Sequence, residues 1–176
     1  MNRMLGSSLD TVFVTLFIYL MSVVSCFSEE TLEVKTRQLP LQKVLIKQDL
    51  HDTAVKEYVV TRCMGNAGFF ITLLMKSGQD YKGYADLNSG FFELAKLFRM
   101  HTNMKRGIEE GEESIIKDIN DTSSNMMMRY VHDSNDFWEA TGSRFVETYI
   151  EEDLNICVKL WENVKSFVED DLSFLR

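Results

Sequence analysis

The sequence predicts an all-α protein, an antiparallel four-helix bundle with one inter-helix disulfide. Three observations point there. Four long segments place apolar residues at steps of three and four, the period of a helix with one buried face. The 176-residue chain has one proline and nine glycines, too few for a loop-rich or low-complexity protein. Beyond the N-terminal leader the cysteines are Cys63 and Cys157, each on an apolar helical face. The chain shows no internal repeat and no run of alternation that would make a strand ladder.

Residues 1–28 read as a signal peptide. Arg3 precedes the apolar run Thr11 to Val24, small residues follow at Ser25 and Ser28, and then the acidic pair Glu29 and Glu30. The run is shorter than the roughly 20 residues of a membrane span. An uncleaved anchor is the alternative, because Asp10 offsets Arg3. Cys26 has two readings. Cleavage after Ser28 discards it, whereas cleavage before it, at a site resembling that of bacterial lipoproteins, makes it a lipidated first residue. Either way Cys26 is removed from disulfide chemistry, and the mature chain keeps an even pair in an oxidising compartment. Export to the periplasm or the outside is therefore expected, with membrane contact only through the leader or lipidation at Cys26.

Residues 29–50 are polar, contain Pro40, and read as an extended arm with a turn near Val44 to Ile46. Residues 51–176 read as the helical domain. Its first helix is expected to start at Asp52 or Thr53, both good N-caps, and to run to Lys76 with Gly78 as its stop. Its face is Val55, Tyr58, Val59, Cys63, Ala67, Phe70, Leu73 and Leu74. Gly65 and Gly68 lie inside it at a cost of about 1 kcal/mol each relative to alanine, which close approach of another helix would offset. The second helix is expected over Asp86 to Arg106, with Leu87, Phe91, Leu94, Ala95, Phe98 and Met104 inward. The third is expected over Glu112 to His132, with Ile115, Ile116, Ile119, Met126, Met127, Tyr130 and Val131 on its face. It is weakened at Asp121 to Asn125, where short polar side chains compete for backbone hydrogen bonds. Ser134 to Gly142 reads as a connector that buries Phe137 and Trp138 or packs them on the bundle end. The last helix, Ser143 to Asp170, has the longest clean period, with Phe145, Val146, Tyr149, Ile150, Leu154, Cys157, Leu160, Trp161, Val164, Phe167 and Val168 on its face.

In an up-down-up-down bundle the first and last helices are antiparallel neighbours. Cys63 and Cys157 sit near the middle of each, so the two midpoints fall level and a disulfide between them is feasible.

Tyr58-x-x-x-Arg62-Cys63 and Asp153-x-x-x-Cys157-x-x-Leu160 carry a resemblance. The stretch from His51 to Val164 resembles a group of small exported helical proteins of marine bacteria that have no assigned activity. The resemblance implies a periplasmic setting and the same cysteine pairing, and it brings no catalytic residue. Gly65-Asn66-Ala67-Gly68 departs from the apolar continuation of that pattern.

The composition excludes some functions. A net charge of −8 repels phosphate backbones, so nucleic acid is not an expected partner. Removing the leader takes away one basic and one acidic residue and leaves that balance unchanged. No Glu-x-x-His, Cys-x-x-Cys-His, Gly-x-Ser-x-Gly or phosphate loop occurs. His51, His101 and His132 are not paired at zinc-ligand spacing. Met100-His101-x-x-Met104 and Met126-Met127-Met128-x-x-x-His132 have donors that suit Cu(I), but helical spacing reads them as core methionines with exposed histidines. Arg62 points off the cysteine's face and is expected to pair with Glu152 or Asp153. The acid runs Glu109 to Glu113 and Glu151 to Asp153 lack calcium-loop spacing and read as solvated helix ends. Asn120-Asp121-Thr122 is a glycosylation sequon only in a eukaryotic host.

No catalytic, cofactor or metal residue is therefore expected. The leading expectation is a non-catalytic module that binds a partner protein or an envelope component. A small-ligand or copper carrier and an exported enzyme of unknown class are the alternatives.

Overall fold

The computed structural model describes residues 38–49, 51–142 and 148–172, and it is all-helical among them. The helices are α1 (Leu41–Lys47), α2 (Thr53–Ser77), α3 (Lys82–Arg106), α4 (Glu112–Thr141) and α5 (Tyr149–Leu172). The expected signal peptide, with Cys26, lies outside the described residues.

α2 begins where the sequence places it. Asp52 is the N-cap, and its side chain accepts from Ala54 N at 2.9 Å. Gly78 ends the helix in the left-handed region (φ 69°), where a side chain would be strained. Gly107 (φ 66°) ends α3 in the same way.

Four sequence expectations need correction. Part of the expected arm, Leu41–Lys47, is a short helix, because Leu41, Val44 and Leu45 form an apolar face that packs into the core. α3 starts at Lys82 rather than Asp86. α4 runs unbroken through Asp121 to Asn125, where Ser123 is buried and Asp121 pairs with Lys117 at i, i+4. It also continues through the expected connector to Thr141. There Phe137 packs on Tyr149, and Asp133 accepts a hydrogen bond from Tyr149 Oη. Tertiary packing outweighs the weak local propensity of these segments. Trp138 stays half exposed.

α2 is the central helix. It is long and apolar enough to cross a bilayer by composition, yet most of it is buried among α3, α4 and α5. Against α3 its contacts run in opposite directions, with Glu57 beside Arg99, Met64 beside Asn88 and Phe70 stacked on Tyr84. Against α5, Cys63 meets Cys157 and Asn66 meets Ile150. The Cys63–Cys157 disulfide is formed with a Cα–Cα distance of 5.4 Å, in the ordinary range, and both residues are fully buried. Around it lie Val59, Val60, Phe91, Leu94, Ile119 and Leu160. A second apolar cluster toward the other end joins Phe69, Phe70, Tyr130, Phe137, Tyr149 and Ile150.

The glycines inside α2 work as expected. A Cβ on Gly65 would come within 2.8 Å of Met126 Cβ and 2.9 Å of Ser123 O, so only hydrogen allows α4 this close. Gly90 is a second such position, since a Cβ there would overlap the Trp161 ring. Gly65→Ala is expected to destabilise by about 1–3 kcal/mol through overpacking, despite alanine's better helix propensity. Gly83→Ala meets open space and is expected to be neutral or to stabilise by up to about 1 kcal/mol. Urea denaturation of the two variants checks both.

Candidate functional site

Two features combine polar chemistry with a defined place in the fold. The first is a buried lock. Arg62, Tyr130 and Asp153 are all fully buried. Arg62 Nη2 donates to Asp153 Oδ2 at 2.5 Å and Nε donates to Tyr130 Oη at 3.0 Å. Tyr130 Oη donates to the same carboxylate oxygen at 2.6 Å. The lock also reads backbone. Arg62 Nη1 donates to Leu39 O, and Leu41 N donates to Asp153 Oδ1 at 2.7 Å. Pro40, between them, has no N–H to satisfy. The chain around Pro40 is thus tied directly to α2 and α5, and Tyr130 joins α4 to the same pair.

Every polar group in this lock has a partner, which is what permits a charge pair in an apolar interior. Burial opposes the charge on Arg62, but Tyr130 and Asp153 beside it outweigh burial and hold it well above its ordinary value. Burial pushes the Tyr130 hydroxyl up, and the Asp153 carboxylate beside it adds to the shift. Tyr149 is raised in the same way by burial and by Asp133. Among the described residues, the three side chains of the lock are closed off from solvent.

The second feature is a cleft of about 510 Å³ between the start of α2, the end of α3 and the middle of α4. Each helix contributes a stripe at helical spacing. α2 gives Ala54, Glu57, Tyr58 and Thr61; α3 gives Arg99, Thr102, Asn103 and Arg106; α4 gives Ile119, Thr122 and Met126. Arg99 Nε donates to Glu57 Oε1 at 2.7 Å, with Glu110 and Asp118 at 3.8 and 3.6 Å. Burial raises the Glu57 carboxyl above its usual range, and Arg99 only partly offsets this. Glu110 accepts from Asn103 Nδ2 at 2.6 Å and from Ser114 Oγ, and these bonds hold its carboxyl below the usual range. The cleft is lined by neither histidine nor cysteine.

Beside it, across Ile108 and Glu110, opens a more apolar groove of about 580 Å³. Met100, Met104, Ile108 and Ile115 line it, with Lys96 and Glu109 to Glu112 at its rim. Met104 is 71 % exposed and Met100 47 %. The expectation that these two methionines are core residues is therefore corrected. They lie in the last turns of α3, on the face that opens into this groove. Met126 is buried and Met128 exposed, His101 is half-buried and His132 exposed. Among the described residues no group of three His, Cys, Asp or Glu side chains is placed to hold a metal ion.

The sequence-predicted residues are thus partly brought together. Tyr58, Arg62 and Cys63 meet Asp153 and Cys157 in one region. Arg62 pairs with Asp153 and not with Glu152, and Asp153 is a buried core residue rather than part of a solvated helix end. Sequence reasoning placed Tyr130 on the apolar face of its helix but not in a polar lock, and it missed Asp133 and the cleft. The signal for the cleft was present in the repeated polar steps Glu57-Tyr58-Thr61 and Arg99-Thr102-Asn103-Arg106, which resemble an ordinary solvated helix face. Compared with known proteins, the chain matches no family model, no curated protein and no solved structure.

Proposed function

We propose that the chain is an exported, non-catalytic interaction module of the periplasm or extracellular space. In this reading the disulfide and the Arg62–Asp153 lock hold α2 to α5 as an antiparallel four-helix bundle, with α1 laid along α5. The rigid frame presents the groove at the α3–α4 turn to a partner protein. The supporting observation is the exposure of Met100, Met104 and Ile108 around one open groove. Clustered apolar side chains at a rim of charged residues are the usual composition of a docking surface, and methionines adapt to varied partners. The rim carries Glu109, Glu110 and Glu112, and Lys96 is already paired with Glu112. A partner segment with an apolar anchor flanked by cations fits this surface best. The resemblance to exported helical proteins of marine bacteria is consistent with the same setting.

A photo-crosslinking residue in place of Met104, in cells that export the protein, is expected to give a discrete adduct. Ile108→Glu should abolish the adduct, and the same crosslinker in place of Tyr81, exposed at the start of α3, should not reproduce it. Equal labelling from positions 104 and 81, or none from 104, would contradict the reading.

A further inference from the structure

We infer that the cleft between α2, α3 and α4 is a second binding site, for a small amino-carboxylate zwitterion, with the Thr102 hydroxyl as one of its hydrogen-bonding groups. The inference goes beyond the groove and rests on different observations. The clearest is Thr102 itself. Thr61, Thr72 and Thr141 each donate the hydroxyl to the carbonyl four residues back, the ordinary way for a helical threonine to satisfy it. Thr102 lines the cleft and does not. It is 8 % exposed, and its Oγ1 is buried without a hydrogen-bond partner. Such a group costs stability unless something else satisfies it. Helical threonine has two accessible χ1 rotamers, and a switch of about 120° between them would re-aim the hydroxyl into the cleft.

The charges around it set the ligand class. Arg99 uses its Nε on Glu57, while Glu110 and Asp118 stand too far from its Nη1 for a hydrogen bond, which leaves Nη donors for an incoming acceptor. Arg106, exposed two turns further along α3, lines the same cleft. These cations suit a carboxylate. Glu57, on α2, is bonded to Arg99 through Oε1, and its second carboxylate oxygen suits an ammonium group. Ile119 and Met126 close the far wall with apolar surface that suits an aliphatic side chain. The volume falls in the range of small-molecule sites.

The test uses the oxidised full chain and NMR titration with L-leucine, L-leucinamide and 4-methylpentanoate. Leucine is expected to bind saturably at millimolar concentration or below, with shifts centred on Glu57, Arg99, Thr102 and Ile119. Leucinamide lacks the carboxylate and 4-methylpentanoate lacks the ammonium group, and each is expected to bind at least about tenfold more weakly. Thr102→Val keeps the shape and removes the hydroxyl, and Arg106→Ala alters an exposed side chain, so both should fold. Each should weaken leucine by about tenfold. No saturable shift with leucine overturns the inference. So does equal binding by both variants, or by both analogues. None of these outcomes bears on the groove, whose test is the crosslink from position 104.

Discussion

Replacing Cys63 and Cys157 together with alanine is expected to lower stability by about 4–5 kcal/mol, one of the two largest losses open to this chain. The bridge closes a loop of 94 residues. On the chain-entropy account a loop near that length restricts the unfolded ensemble by about 4.7 kcal/mol. For a domain of this size the loss should appear as a fall of roughly 15 °C in Tm. Two further terms bear on the result. Alanine leaves small voids where two fully buried sulfurs stood, which adds to the loss. The helical contacts beside the bridge persist, so the folded shape should change little. Serine at both positions should be worse than alanine, because each hydroxyl would need a hydrogen bond inside an apolar cluster. Thermal and denaturant unfolding of the oxidised parent, the parent after reduction and the double-alanine variant measure these effects. Equal Tm values for the oxidised parent and the variant would show that the bridge contributes nothing.

The second large loss is expected at the lock. Asp153→Ala should cost about 3–5 kcal/mol, because it leaves the Arg62 guanidinium charged and uncompensated in the interior. Arg62 stays charged at any pH the fold tolerates, so no change of protonation relieves the cost. The same substitution orphans the Tyr130 hydroxyl and the Leu41 amide, which both donate to that carboxylate. Arg62→Met should be comparably costly from the other side, since Asp153 loses its cation. The double variant Arg62→Met/Asp153→Ala should cost clearly less than the sum, because the unpaired charge is present in each single variant and absent from the double. A double-mutant cycle by denaturant unfolding measures this. Strict additivity would mean that the two residues do not act as a pair. Hydrogen exchange gives an independent readout. The Leu41 and Val44 amides should lose protection in Asp153→Ala before the α2 core does, because the lock ties the segment ahead of α1 to the bundle.

The sequence was informative wherever one physical demand dominated. The apolar steps of α2 and α5, the Asp52 cap, the Gly78 stop and the level placement of Cys63 and Cys157 each follow from a single local rule, and the structure carries all of them. Gly65 was legible for the same reason, since an interior helical glycine calls for a close neighbour. The misreadings fall where two demands compete. Asp121 to Asn125 and Ser134 to Gly142 are poor helix formers, yet contacts from Ser123, Asp133 and Phe137 keep α4 continuous. Those contacts come from residues far along the chain, which periodicity does not report. Leu41, Val44 and Leu45 make too short an apolar face to stand out from a polar arm. The methionines were misread because Met100 and Met104 satisfy the helical period while lying where α3 opens into the groove. The cleft was hidden for the opposite reason. Polar residues at helical spacing look solvated, and only the packing of three helices brings Glu57, Arg99 and Thr102 to one cleft.

The proposed function is that of an exported, bridged module that holds a partner. Native mass spectrometry of the protein recovered from the envelope of its host tests it most directly. The account predicts a chain lacking residues 1–28, or one beginning at an acylated Cys26, with the Cys63–Cys157 bridge intact. It also predicts a second component of defined mass that remains bound and is lost in Ile108→Glu. A full-length chain starting at Met1, with both thiols free and nothing bound, would contradict it.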